Sequence, residues 1–140
     1  MPASENNAPS GKKEITVMIK ISTELAPAAI GPYSQGFITG ELVFTSGQLP
    51  ADPATGNIVG TDVTAQAHQS CKNVGAVLRA GGSDFDKVVK TTCFLADMGD
   101  FAAFNAVYAQ YFTGAPARSC VAVKTLPRGV LCEIEAIAER

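Results

Sequence analysis

The sequence predicts an α+β domain, a two-layer sandwich of one mixed β-sheet with two helices on one of its faces. Three observations lead there. Short runs of apolar–polar alternation recur along the chain, and two longer stretches repeat their apolar residues at the three-and-four spacing of a helix. These patterns follow one another as β, ββ, α, β, α, ββ, which suits one sheet with its helices on a single side. The opposite sheet face then needs a cover, and with no further helix available a neighbouring subunit is the natural one.

Residues 1–13 (MPASENNAPSGKK) have almost nothing to bury and are expected to be a disordered tail, leaving 14–140 as a single domain. Ile15 to Ile21 alternates and reads as the first strand. Ala26 to Pro32 is a loop broken by two prolines and a glycine. Tyr33 to Thr39 and Leu42 to Ser46 form a hairpin across Gly40-Glu41, where glycine in the first turn position suits type II′. Pro50 to Asn57 is a second irregular loop. Thr61 can cap a helix striped by Val63, Ala67, Cys71, Val74 and Leu78 and ended by Gly81-Gly82.

Lys87 to Leu95 is a β-branched strand with Val89, Thr91, Cys93 and Leu95 on one side. The second helix starts near Asp100, is striped by Phe101, Phe104, Tyr108 and Tyr111, and stops near Gly114. Two strands close the chain. The first alternates over Ser119 to Thr125, with Arg118 just ahead of it. The turn Leu126-Pro127-Arg128-Gly129, with proline second and glycine fourth, fits type I. In the last strand Leu131, Glu133, Glu135 and Ile137 share one face, and Cys132, Ile134, Ala136 and Ala138 the other, a plain core face.

The composition excludes several function classes. At 140 residues the chain is long enough to bury about two-thirds of its unfolded surface. Its 46% hydrophobic and 17% charged residues are apolar for that size, which again asks for an interface. A net charge of −2 and scattered Lys and Arg argue against broad electrostatic binding of nucleic acid or membrane. No apolar run approaches the roughly 18 residues of a membrane span. The four cysteines, at 71, 93, 120 and 132, lack a C-x-x-C spacing and read as reduced, buried thiols. With no clear signal or transit pattern at the N-terminus, the expected location is cytoplasmic.

Few residues are left to carry chemistry. The one histidine, His68, has no partner ligand at i+3 or i+4, so it is a helix-packing or solvated residue and no metal site or histidine-based triad is expected. Gly81-Gly82 follows a helix and is a cap, not a phosphate loop. Ser46-Gly47-Gln48 at a strand end is a bulge or, alternatively, a nest of backbone N–H groups for an anion. Arg118, two residues from Cys120, would lower that thiol's pKa, although a strand cysteine without a base reads as packing. Tyr33 either lines a pocket or fills core. Arg118 is the best single candidate, because a guanidinium matches a carboxylate through two parallel hydrogen bonds. Glu133 could then hold or deprotonate a water. By spacing alone, an ion pair within the protein remains the first reading of both residues.

The motifs Ile30-Gly31-Pro32-Tyr33-Ser34-Gln35-Gly36, Thr45-Ser46-Gly47-Gln48, Lys90-Thr91-Thr92-Cys93-Phe94-Leu95, Asp100-Phe101 with Asn105, Pro116-Ala117-Arg118-Ser119-Cys120 and Glu133-Ile134-Glu135-Ala136 together resemble the RidA/YjgF family, from about Ser22 to the C-terminus. The resemblance implies a chorismate-mutase-like fold assembled as a homotrimer with clefts between subunits. It implies an enamine/imine deaminase that hydrolyses 2-aminoacrylate and related 2-imino acids to 2-keto acids and ammonia, without a metal or organic cofactor. On the matching positions it implies that Arg118 grips the substrate carboxylate and Glu133 positions the attacking water. Tyr33, Ser46, Gly47, Asn105 and Cys120 would line the cleft. Some members of the family are described as ribonucleases that inhibit translation, or as binding or chaperone-like proteins. A small-carboxylate binding module or a translation-inhibiting ribonuclease is therefore the alternative, with the acidic charge balance against the latter.

Overall fold

The computed structural model describes residues 17–140, so the tail expected over 1–13 and the start of the strand expected from Ile15 lie outside the described residues. Six strands and two helices follow in the order β1 (Met18–Ile21), β2 (Gly36–Thr39), β3 (Leu42–Thr45), α1 (Val63–Ala80), β4 (Val88–Leu95), α2 (Phe101–Tyr111), β5 (Ala117–Ala122) and β6 (Cys132–Glu139). They build a single mixed sheet in the order β1-β2-β3-β6-β4-β5, with both helices on one face.

Only β4 and β5 run parallel, because α2 carries the chain back between them. The last two strands are not neighbours, as the closing turn suggested. β4 lies between them, antiparallel to β6 and parallel to β5. That single fact decides the geometry of the site.

Local chemistry accounts for the elements and for several departures from the sequence reading. The β2–β3 hairpin turns on Gly40 at φ 56°, a left-handed value that glycine adopts without strain. β2 starts at Gly36 rather than Tyr33, and Tyr33 to Gln35 belong to the preceding loop. Helix α1 is capped by Asp62, not Thr61: the Asp62 carboxylate accepts the Ala65 N–H at 2.8 Å. Its expected stripe of Val63, Ala67, Cys71, Val74 and Leu78 is buried throughout.

β5 begins at Ala117, so Arg118 lies within the strand instead of ahead of it. Val89 leaves the alternation of β4. The β4–β6 register skips it, pairing Val88 with Ala138 and Lys90 with Ile137, and the bulged residue is 42% exposed. In the closing turn Arg128 stands at φ 59° and ψ 16°, the third-position geometry of type II rather than type I. Its guanidinium donates to the Gly56 carbonyl at 2.7 Å, which offsets the strain of a non-glycine residue there.

The core fills the space between sheet and helices. Ile134, Ala136, Thr91, Cys93 and Leu95 meet Val74, Val77 and Leu78 of α1 and Phe104, Val107 and Tyr108 of α2. Truncating the fully buried Phe104 to alanine would cost about 3–5 kcal/mol. Three buried polar side chains latch the loops to this core. Gln35 holds the 23–27 segment by four hydrogen bonds of 2.7–3.2 Å. Asn73 donates to the carbonyls of Leu49 and Ala51, and Gln66 accepts the Leu131 N–H at 2.7 Å. His68 packs edge-on to Tyr111 and shares a 2.8 Å hydrogen bond with its hydroxyl, a helix-packing histidine.

The opposite sheet face is left open by the elements of the described residues. Phe37, Leu42, Phe44, Phe94, Ile137 and Val121 lie on it, with Lys90, Thr92, Glu133 and Glu135 among them. No helix among the described residues is long and apolar enough to cross a membrane.

Candidate active site

The chain builds two separate polar centres out of the residues singled out above. The first lies on the helix side of edge strand β5. Arg118 is the register partner of Thr91 and therefore projects toward α2. Its Nη1 donates to Asn105 Oδ1 at 2.7 Å. The guanidinium carbon stands 4.7 Å from the centre of the Tyr108 ring and 5.5 Å from that of Phe101. Helical spacing explains the set, since residues 101, 105 and 108 line one face of α2.

No carboxylate among the described residues completes this arrangement. Among the described residues the one ion pair is Arg79 with Asp84, at 3.6 Å on the surface. Arg118 thus has a neutral acceptor and two aromatic rings, with most of its N–H fork uncommitted. The internal ion pair that spacing favours does not form among the described residues.

Two positions along, Cys120 projects to the same side and pairs in register with Cys93. Burial pushes the Cys120 thiol up and the Arg118 charge offsets only part of that, so the net shift is opposite to the lowering expected from the sequence. Cys93 is pushed up to about 12 and Cys132 to about 11 by the same desolvation. These are packed, protonated thiols, poor nucleophiles at neutral pH.

The second centre lies on the open face. Glu133 is the register partner of Phe94, three residues from Thr91 on β4, so it leaves the sheet on the side opposite to Arg118. Burial raises its pKa first, and Glu135 on the same face raises it further. It sits against Gly47: a Cβ there would run into the Glu133 carboxylate, with the carboxyl carbon only 2.8 Å away.

The backbone reaches that position through a bulge. β3 pairs Phe44 with Ile137, yet Gln48 bridges Ile134, so four steps on one strand match three on the other. The Thr45 hydroxyl accepts the Ala136 N–H at 3.0 Å, satisfying a donor at the break in the ladder. Ser46 uses its hydroxyl on the Ser34 carbonyl and its N–H on that of Gln35, so its polar atoms serve the loop.

Tyr33 belongs to neither centre. It is 54% exposed and lines an open groove of about 710 Å³ with Lys20, Glu24, Gln35 and Pro53, a groove bordered by neither Arg118 nor Glu133. The structure thus brings Arg118, Asn105 and Cys120 together, and Gly47 and Glu133 together, and keeps the two groups on opposite faces of one sheet. Tyr108 and Thr91, joined by a buried 2.6 Å hydrogen bond behind Arg118, were not singled out as site residues by the sequence. The i+3 spacing of Tyr108 from Asn105 is the one signal that pointed to it.

Comparison with known proteins places these features in context. The model of the family described as endoribonuclease L-PSP matches residues 23–140. A protein of Salmonella typhimurium named 2-iminobutanoate/2-iminopropanoate deaminase is 55% identical over 124 residues, which cover 86% of this chain and 96% of that one. A protein of Mus musculus with the same name is 51% identical over 119 residues, or 84% of this chain and 88% of that one. Among solved structures, Escherichia coli TdcF with bound serine superposes with a TM-score of 0.83 at 48% identity, covering 87% of this chain and 98% of that one.

Proposed function

The chain belongs to the endoribonuclease L-PSP family, also called the YjgF/RidA family, and on that premise we propose that it is an enamine/imine deaminase. It hydrolyses 2-imino acids of the 2-aminoacrylate type to 2-keto acids and ammonia, and uses no metal or organic cofactor. The observation that carries this reading is Arg118, held by Asn105 and two aromatic rings with no carboxylate partner among the described residues. Relatives more than half identical bear the name of such a deaminase, and a related structure holds a small amino acid.

The active cleft of this reading lies between copies of the chain. Arg118 and Glu133 leave the sheet on opposite faces, so one copy alone does not put both on one substrate. A second copy does so when its open face, bearing Glu133, meets the β5 edge of the first, bearing Arg118. Two unlike patches then meet, a heterologous contact, and such contacts are satisfied throughout when they close into a ring. A homotrimer is the ring that the family resemblance implies. It would also cover Phe37, Leu42, Phe44 and Val121, apolar residues that a soluble monomer rarely leaves wet as one patch.

In that cleft Arg118 takes the substrate carboxylate through two N–H donors, which fixes the imine carbon beside Glu133. The ionised Glu133 takes a proton from a water as the water oxygen bonds to that carbon and the C=N electron pair moves to nitrogen. Glu133 hands the proton to that nitrogen, giving a carbinolamine. The carbinolamine's hydroxyl proton then passes through Glu133 to the nitrogen, the C–N bond breaks, and ammonia leaves as the C=O bond forms. Water is the only co-reactant. Most of the gain comes from positioning, because the imine already hydrolyses in water.

The test is keto-acid and ammonia release from 2-iminopropanoate generated in place by an amino-acid oxidase. Wild type accelerates release, and Arg118→Ala does not. Equal release with and without the wild-type protein would remove the enzymatic reading. A binding module without turnover is separated by Glu133→Gln, which slows an enzyme but leaves a binder unchanged. The net charge of −2 weighs against a ribonuclease reading, which would need to attract a polyanion.

A further inference from the structure

We propose that Tyr108 is a positioning residue for the carboxylate-binding arginine: its ring fixes the guanidinium of Arg118, and Thr91 fixes the ring. This deepens the deaminase reading and rests on it.

Arg118 has a long side chain with four rotatable bonds and would lose much freedom on gripping a ligand. A protein carboxylate could hold it, but would occupy the same N–H fork that a substrate needs. An aromatic face holds a cation without consuming any N–H. Tyr108 provides that face at 4.7 Å, and Asn105 takes only one donor, at 2.7 Å. The guanidinium is therefore set in place while the remaining donors stay available.

The platform is itself fixed on every side. Behind it the Tyr108 ring stacks on Phe112 at 4.4 Å and lies 5.9 Å from Phe104. The Tyr108 hydroxyl and the Thr91 hydroxyl share a 2.6 Å hydrogen bond in the core. Thr91 is the residue paired in register with Arg118 across β4 and β5. A closed circuit thus runs from the Arg118 backbone to Thr91, through its hydroxyl to Tyr108, and from the ring back to the Arg118 side chain. A tyrosine placed only to fill core would need its hydroxyl satisfied somewhere. It would not need that tether to lie on the strand position that also carries the arginine.

The experiment is calorimetric titration of the full chain with 2-ketobutyrate, a carboxylate of the product class, alongside kcat and KM on imine generated in place. Thermal midpoint and oligomeric state are the folding controls. Tyr108→Leu removes the platform and is expected to weaken 2-ketobutyrate on the order of tenfold and raise KM by a similar factor, with kcat little changed. Tyr108→Phe and Thr91→Val each remove the tether while keeping the ring, and each is expected to weaken binding about threefold. The double variant is expected to bind no worse than either single one, as for one shared interaction.

If Tyr108→Leu does not fold, the Tyr108→Phe and Thr91→Val pair decides. Folded variants that bind 2-ketobutyrate as tightly as wild type, while Arg118→Ala has lost binding, would overturn the positioning role and leave the deaminase reading intact. Unchanged binding by Arg118→Ala itself would overturn both.

Discussion

The helix side of β5 and the open side of β6 each present one charged group, and they treat it in opposite ways. Arg118 is held by neutral neighbours, an amide oxygen and two aromatic faces, which aim it without pairing it to an opposite charge. Glu133 is surrounded by burial and by a second carboxylate, which make its charge costly and raise its affinity for a proton. The first arrangement suits a permanent anion receptor. The second suits a base whose proton comes and goes. On the proposed reading, the contrast separates binding from proton transfer, one job on each face of the sheet.

The largest effect expected from breaking this contrast is at Arg118. Arg118→Ala should lower turnover on 2-iminopropanoate by about a thousandfold, with the thermal midpoint and assembly retained. Arg118→Lys keeps the charge but not the fork and should restore only part of the loss. A lysine variant as fast as wild type would show that charge alone suffices.

On the other face, Glu133→Gln should slow turnover by roughly a hundredfold while 2-ketobutyrate still binds, because the receptor is untouched. Gly47→Ala drives a Cβ into the Glu133 carboxylate and displaces it. It should lower kcat about tenfold, less than loss of the carboxylate itself, and leave ligand affinity near wild type. Loss of affinity from either substitution would merge the two jobs.

The same raised pKa sets a pH dependence. If Glu133 is the base, it works only when ionised, so kcat should fall as pH drops through a value above the ordinary 4.5, and Glu133→Gln should abolish that limb. The smallest effect is on stability. A carboxyl whose folded-state pKa is raised stabilises the fold fully below its unfolded pKa, and that contribution is lost as pH rises through the folded value. At neutral pH the ionised Glu133 is thus a net penalty, and Glu133→Gln should raise the thermal midpoint by about 1–3 °C. Below about pH 4 the gain should vanish. A midpoint lowered at pH 7 would mean that Glu133 stabilises the fold.

Much of the fold was legible because it is written locally. Alternation in Cys132 to Ala138 and the stripe from Val63 to Leu78 identify buried faces directly, since each needs only the period of its own segment. Arg118 and Glu133 stood out for their chemistry in the same way. The buried latches Gln35, Gln66 and Asn73 did not. A polar side chain in a polar loop or on a helix gives no sign that its partners are distant carbonyls or N–H groups.

By itself the sequence determined which residues share a face within most strands, Val89 of β4 excepted, which helix stripes are apolar, and that Arg118 and Glu133 are the candidates for chemistry. Only the tertiary structure decided how those faces relate. Reading β5 and β6 as one hairpin follows from their nearness in sequence, yet β4 lies between them and pairs parallel with β5. That strand order sends the arginine toward α2 and the glutamate toward the open face. The reason is physical: alternation is a property of one strand, whereas the order β3-β6-β4-β5 depends on hydrogen bonds between residues from 27 (Lys90 and Ala117) to 97 (Leu42 and Glu139) positions apart, which no local period encodes.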